Sequence, residues 1–327
     1  MRNTDLTKWT ENIMDDEQNT RAALQAVLAR FLQEASLPDS VAFHFMRWYA
    51  GVTGSLAQRA KAAKTAPLVG FSGCQGSGKS TLVALMAKVM REVHGVSTVV
   101  LSLDDFYLTK AARTALAESI HPLFATRGVP GTHDLALLNE TIAALRQPGG
   151  VGAGAVPLPA FDKALDDRTE MVHWRQVSAP VQLIFLEGWC VGLSPQQESE
   201  LEAPINPMEA EQDPSMVWRR EVNRQLATEY ADLFGKLDAL LLLQAPSFDA
   251  VFEWRWQQEQ RLSQQFQQDH PHRPDPTMTR SEVADFILHY QRLTEHGLKT
   301  LPDRADFVWQ LATDRSVERM WLTEVAA

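Results

Sequence analysis

Cysteine is scarce. The 327 residues contain two, Cys74 and Cys190, and neither stands in CxxC or any other metal-ligand spacing. That excludes a disulfide framework and a thiolate metal site, and predicts a reducing, cytoplasmic setting. Long hydrophobic runs are also missing: none approaches the roughly 18 apolar residues of a membrane span. Met1 to Asp16 is polar and acidic rather than basic and then apolar, so no secretory leader is predicted. Basic residues are outnumbered, 31 Lys and Arg against 41 Asp and Glu, for a net charge of −10. Non-specific nucleic-acid affinity comes from clustered cations, so this balance argues against a DNA or RNA partner. What is present, 45% hydrophobic and 22% charged residues, excludes disorder and a fibrous architecture. The length allows one large α/β domain with insertions or two smaller ones, either with a substantial core.

From Glu17 to Leu37, Ala22, Ala23, Leu24, Val27, Leu28, Phe31 and Leu32 recur at three- and four-residue spacing, which predicts an amphipathic helix ending at Pro38. Asp39 or Ser40 is placed to cap a second helix through Phe43, Phe45, Trp48 and Tyr49, with helical composition resuming after Gly54 until Pro67. Residues 1–66 are therefore expected to be a helical addition, and 67–327 the main domain. There, short continuous apolar runs alternate with helical stretches: Leu68 to Phe71, Ser97 to Leu103, Val181 to Leu186, Leu237 to Leu243 and Phe307 to Leu311. Runs of this length and character predict buried parallel strands in a doubly wound α/β sheet of about five strands. Segments 148–160, 194–214 and 268–279, rich in Gly and Pro, Glu, and Pro respectively, are expected to be surface loops or lids.

Gly73-Cys74-Gln75-Gly76-Ser77-Gly78-Lys79-Ser80 matches G-x-x-x-x-G-K-[ST] between a predicted strand and a predicted helix, the context a phosphate cradle requires. The glycines let backbone N–H groups turn inward as an anion nest, and the following helix adds the partial positive charge of its N-terminus. Lys79 is expected to reach the β- and γ-phosphates of ATP, Ser80 to supply a hydroxyl to Mg²⁺, and Gly73 through Thr81 to line the nucleotide site. In an open parallel sheet ligands sit beyond the carboxyl ends of the strands, where Asp104, Asp105 and Glu187 are predicted to lie. Glu187 is a candidate Mg²⁺ partner or a merely solvated acid. Asp104 or Asp105 has the chemistry to accept the proton of an acceptor hydroxyl, and equally to cap a helix.

Together, Gly73 to Ser80, Ser102 to Tyr107 and Leu186-Glu187-Gly188 resemble the P-loop small-molecule kinases that include uridine kinase, phosphoribulokinase and bacterial pantothenate kinase. Within that group, Arg127 to Asp134, Pro159 to Lys163 with Asp167-Arg168, and Glu187 to Gly192 are similar to the D-glycerate 3-kinase branch, and the resemblance spans roughly residues 67 to 312. It implies a P-loop NTPase fold and transfer of phosphate from ATP with Mg²⁺ to a hydroxyl of a small molecule. Asp104 matches the family's catalytic acid and Lys79 and Ser80 its phosphate and metal ligands. Glu187 matches the third-strand carboxylate, so that Ser80, Asp104 and Glu187 form the implied metal set. Asp162 and Arg168 are implied in the acceptor pocket, and Asp166 stands where uridine kinases carry a base-contacting His, which argues against a nucleoside. The lid arginine implied by position is Arg255, with Arg261 second.

Several further residues have two readings. Arg127 and Arg168 have the charge to hold an acceptor carboxylate or to form loop salt bridges. His133 can orient substrate or cap the helix starting near Asp134. With Asp105 and Tyr107 these complete the candidate acceptor set: Asp105, Tyr107, Arg127, His133, Asp134, Asp162 and Arg168. His270 and His272 favour solvation over a metal site. The expected partner is a small-molecule acceptor, with D-glycerate ahead of pantothenate, a pentose phosphate or a nucleoside.

Overall fold

The computed structural model describes residues 18–147, 155–271 and 273–323. The N-terminal stretch to Asp16, the beginning of the 148–160 segment and His272 lie outside the described residues.

The five predicted strands and a sixth, unexpected one, β10, form a single sheet of order β2-β7-β1-β8-β9-β10, in which β1 is Leu68–Gly73, β2 Thr98–Ser102, β7 Leu183–Gly188, β8 Ala239–Gln244, β9 Phe307–Leu311 and β10 Val317–Leu322. The first five run parallel, and β10 pairs antiparallel with β9. Alternate residues feed opposite cores: Val69, Leu183, Phe185, Leu241 and Leu243 point to one, Leu68, Ile184, Leu186, Leu240 and Leu242 to the other. Apolar side chains are needed at both phases of the period-two pattern, which is why these strands read as unbroken hydrophobic runs.

One face carries α1 (Gln18–Glu34), α2 and α3 (Lys79–Glu92). Helix α2 runs through Ser40–His44, a π turn at Phe45–Tyr49 and Ala50–Ala62. Phe45 and Tyr49, one turn apart at the two ends of the π turn, are both buried. Tyr49 packs 5.0 Å from the ring of Trp309, whose indole N–H donates to the Trp48 carbonyl at 3.0 Å. The N-terminal helices thus share a core with β1, α3 and β9.

Helix α4 (Lys110–Ser119) follows β2, and α5 (Leu135–Arg146) packs on the second face with α6 (Val217–Ala227), α7 (Glu229–Phe234) and α9 (Arg280–Thr300). Helix α8 (Phe248–Asp269) leads from β8 toward α9. Two small antiparallel ribbons, β3 (Val156–Leu158) with β6 (Arg175–Val177) and β4 (Phe161–Asp162) with β5 (Asp167–Arg168), stand between α5 and β7.

The segment 194–214 departs from its expectation as a surface loop. It holds short helices Glu198–Leu201 and Pro207–Gln212, with Leu201, Met208, Glu209 and Asp213 buried. Glu209 receives a bidentate pair of bonds from Arg292 of α9 at 2.7 and 2.6 Å, while Asp213 is paired with buried Arg219 at 3.0 Å. Removing one partner of such a buried pair typically costs about 3–5 kcal/mol, so this segment is pinned rather than lid-like.

Candidate active site

The site is built at the carboxyl ends of the strands where the connections leaving the neighbours β1 and β7 diverge, from β1 toward β2 on one side and from β7 toward β8 on the other. β1 ends at Gly73, and the chain turns through positive φ at Gly76 (73°) and Gly78 (87°) before Lys79 opens α3. At Gly76 a Cβ would also lie 2.7 Å from the Cβ of Trp254 and 2.9 Å from its carbonyl oxygen, so both conformation and packing demand glycine. Ser77 Oγ is buried in the loop without a partner, a donor available to an anion.

Glu187 is one step deeper than the sequence suggests. It is the penultimate residue of β7, registered with Phe71 of β1 and Ser102 of β2, because both neighbouring strands continue far enough to pair with it. Its carboxylate accepts from Ser80 Oγ at 2.9 Å and from Lys79 Nζ, and only 3% of the residue is exposed. The phosphate-loop lysine and hydroxyl therefore converge on one buried acid. All three contributing groups are hard donors or charges of the kind a Mg–phosphate complex uses. Among the described residues no three His, Cys, Asp or Glu side chains form a metal cage.

Asp104 and Asp105 lie in the 3₁₀ turn Leu103–Phe106 that follows β2. Asp104 accepts from the Tyr107 hydroxyl at 2.9 Å and from Lys163 Nζ at 2.7 Å. Burial pushes its carboxyl up, but Lys163, Lys79 and His133 outweigh that and hold it at about 2. For Asp105, burial dominates and the neighbouring charges of Asp104 and Glu187 add to it. Even with an N–H bond from Phe161, it is pushed up to about 6. The two adjacent acids thus have opposite characters, one ionised and paired, the other poised. Burial pushes the Cys74 thiol up to about 12 and raises Cys190 as well, so neither is a thiolate nucleophile at neutral pH.

Beside Asp104, Tyr107 stacks on His133 with ring centroids 4.6 Å apart, and Phe161 meets Tyr107 edge-on at 5.3 Å. His133 does not cap the helix; Asp134 does, accepting the Leu137 N–H at 3.0 Å while pairing with Arg168 at 3.0 Å. Arg168 also donates to the Tyr107 carbonyl at 2.9 Å. Asp162 closes the β4–β5 turn by accepting from the N–H groups of Ala164 and Leu165 at 2.8 and 3.1 Å. Arg127 is paired with Asp166 and lies 5.4 Å over the Phe161 ring.

A scan against models of known protein families matches none. The uncharacterized kinase mug58 of Schizosaccharomyces pombe is 33% identical over 246 residues, 72% of this chain and 83% of that one. The chain belongs to the P-loop small-molecule kinases, in their D-glycerate 3-kinase-like branch. A second member, the chloroplastic D-glycerate 3-kinase of Arabidopsis thaliana, is 29% identical over 262 residues, 77% of this chain and 53% of that one. The solved D-glycerate 3-kinase of Cryptococcus neoformans superposes with a TM-score of 0.68 at 25% identity, covering 84% of this kinase and 97% of that chain. No described helix of the kinase is long and apolar enough to cross a membrane.

The structure brings Lys79, Ser80, Glu187, Asp104, Asp105, Tyr107 and His133 into one site of the kinase. Arg127, Asp134, Asp162 and Arg168 line its flank, engaged in turns and ion pairs. Arg255, expected as the lid arginine, is paired at 2.6 Å with Glu259 one turn along α8 and faces Phe286. The guanidinium on the phosphate loop belongs instead to Arg315, in the β9–β10 turn. It donates to the Gly76 carbonyl at 2.6 Å and to Gln257, and lies 5.1 Å over the Trp254 ring. Arg315 lies beyond the stretch that carries the motifs, and only a predicted β9–β10 hairpin would have pointed to it. Lys163 ends the stretch Pro159 to Lys163, and only its position next to Asp162 marks it in the sequence. Arg113, 1% exposed, holds the pocket wall through the carbonyls of Ala125 and Asp166 and the Asp166 carboxylate, and its helix gives no hint of this.

Proposed function

We propose that this kinase transfers the γ-phosphoryl group of ATP to a hydroxyl of a small metabolite, and that the acceptor is D-glycerate, yielding 3-phosphoglycerate. The observation that carries the reading is the convergence of Lys79, Ser80 and Glu187 at the phosphate loop beside Asp104 and Asp105, joined through the Ser102–Glu187 register. The D-glycerate 3-kinases among its relatives support the choice of acceptor.

Binding ATP transfers Lys79 from Glu187 to the phosphates, where the loop N–H groups and Ser77 Oγ also donate. Ser80 Oγ and the Glu187 carboxylate would hold Mg²⁺, which would offset the negative charge of the phosphates. The acceptor hydroxyl oxygen forms its bond to the γ-phosphorus as the bond from phosphorus to the bridging oxygen of ADP breaks, and the hydroxyl proton passes to Asp104. Asp104 must first release Lys163, so the acceptor takes the place of that ammonium. Arg315 keeps the loop in shape through the Gly76 carbonyl.

The test is ADP release with Mg·ATP and no acceptor, D-glycerate, L-glycerate, pantothenate, ribulose 5-phosphate or uridine, with identification of the product. Stimulation by D-glycerate alone, with 3-phosphoglycerate formed, is the expected result. Stimulation by another acceptor keeps the chemistry and discards glycerate. ATP hydrolysis that no hydroxyl compound stimulates points to a nucleotide switch and refutes the kinase reading.

A further inference from the structure

His133 is 5% exposed and held between two tyrosines. One is Tyr107, which stacks on it; the other is Tyr230 of α7, whose hydroxyl oxygen lies 2.6 Å from His133 Nδ1. Tyr230 also accepts the Gly131 N–H at 3.1 Å. A phenol has one proton to donate, and the only acceptor recorded for it among the described residues is His133 Nδ1. Burial raises the Tyr230 phenol well above its ordinary range, so the proton stays on it. Nδ1 is therefore an acceptor, and the neutral imidazole carries its proton on Nε2. The opposite tautomer would leave both the Tyr230 hydroxyl proton and the Nε2 lone pair unmet instead of one group.

Nε2 is buried and has no partner. An unpaired buried N–H is costly, and natural structures rarely leave one without a reason. Its surroundings suggest the reason. The antiparallel bridge between Tyr107 and His133 sets the two rings side by side, and the Tyr107 hydroxyl ends on Asp104. The stacked rings put His133 within electrostatic reach of Asp104, the carboxylate given the acceptor proton in the proposed mechanism.

We propose that Tyr230 is a positioning residue that fixes His133 as the Nε2–H tautomer, and that this N–H donates to an oxygen of the bound acceptor. The proposal rests on the kinase reading for its second half. It adds a specificity rule: Nε2–H accepts nothing, so the pocket selects a carboxylate or hydroxyl oxygen at this point and disfavours an ammonium group.

The experiment uses the full chain with ¹⁵N-labelled histidine and long-range ¹H–¹⁵N correlation, the His133 signals being assigned by their loss in H133Q. The expected spectrum shows Nδ1 unprotonated and Nε2 protonated, a shift of Nε2 when D-glycerate is added, and a tautomer mixture in Y230F. In kinetics, H133A and Y230F raise the acceptor KM about ten- to hundred-fold. Y230F leaves kcat and the KM for ATP within about three-fold, the signature of lost uniform binding. H133Q, whose amide N–H falls near Nε2, recovers part of the loss, and adding Y230F to H133Q costs nothing further. An Nδ1–H tautomer in the wild type, or an acceptor KM unmoved in both H133A and Y230F, overturns the proposal. If the wild type phosphorylates none of the panel acceptors, the kinase reading and the acceptor contact fall together, while the nitrogen spectrum still decides the role of Tyr230.

Discussion

Replacing Glu187 by Gln tests the arrangement at its centre. Among the described residues the Glu187 carboxylate is the acid paired with Lys79 Nζ, and the two side chains are 5% and 12% exposed, respectively. Breaking a buried pair typically costs about 3–5 kcal/mol, but Gln keeps a neutral acceptor for Lys79 and Ser80, which reduces the loss to about 2–3 kcal/mol. At about 2.1 cal/mol/K per residue, 327 residues unfold with an entropy near 0.7 kcal/mol/K, so this corresponds to about 3–4 °C in Tm. With nucleotide bound, Lys79 has phosphate as its partner and no longer depends on Glu187. The E187Q deficit should then shrink, and by the thermodynamic cycle the affinity for Mg²⁺-free ATP should rise about ten-fold or somewhat more. Turnover with Mg·ATP should fall, because an oxygen ligand has lost its charge. The assay is thermal unfolding of both proteins, with and without ATP in EDTA, beside direct titration of ATP. Equal Tm deficits with and without nucleotide would falsify the idea that Glu187 and phosphate compete for one lysine.

Asp104→Asn should retain ATP binding by titration yet lose at least about 10²-fold in turnover, the usual worth of a positioned base; near-normal turnover removes Asp104 from that role. Arg315→Ala takes away a charged bond to the Gly76 carbonyl, worth about 1.5–3 kcal/mol, and should raise the KM for ATP roughly 10- to 100-fold with the acceptor KM unchanged. Arg315→Lys should restore only part of this, since an ammonium cannot lie flat on Trp254 while donating. Burial holds the His133 imidazole at about 4 against an ordinary 6.5, so between those values the unfolded chain binds the extra proton and the folded one does not. The stability this group contributes is complete above about 6.5 and drains away as pH falls toward 4, amounting to about 2 kcal/mol at pH 5. Urea denaturation at pH 7 and pH 5 should therefore show a smaller acid loss in H133Q than in the wild type, and identical losses would count against a buried neutral histidine.

The parts legible in the sequence share a physical property: their signal is local. The phosphate loop shows because Gly76 and Gly78 must adopt positive φ within a few residues of Lys79. The five parallel strands show because burial on both faces makes each a continuous apolar run. What stayed hidden depends on partners distant in the chain. Glu209 reads as one of many surface acids until Arg292, 83 positions on, is seen to grip it. Arg113 reads as a helix-surface cation, yet its acceptors are main-chain carbonyls at positions 125 and 166, which carry no residue-type signature. Strands of two or three residues, such as β4 and β5, are too short to show a period. Tyr230 is 97 residues from the histidine whose proton it places.

The charges around the pocket differ in how freely they can change partners, and this limits which of them meets the acceptor. Arg113 is buried on three carbonyls and an aspartate, and Arg168 is tied to Asp134 and to the Tyr107 carbonyl. Moving either would strand buried donors and acceptors, a cost larger than one new ion pair returns. Lys163 is different: its side chain is 61% exposed and its recorded partner is Asp104, itself about one-third exposed. Because the Lys163 ammonium is largely solvated, an incoming acceptor separates this pair at less cost than it would free either arginine. On the proposed mechanism the displaced ammonium then takes an acceptor carboxylate or the γ-phosphate as its new partner. In that mechanism the acceptor pocket combines fixed walls at Arg113 and Arg168, a neutral donor at His133 and an exchangeable positive charge at Lys163.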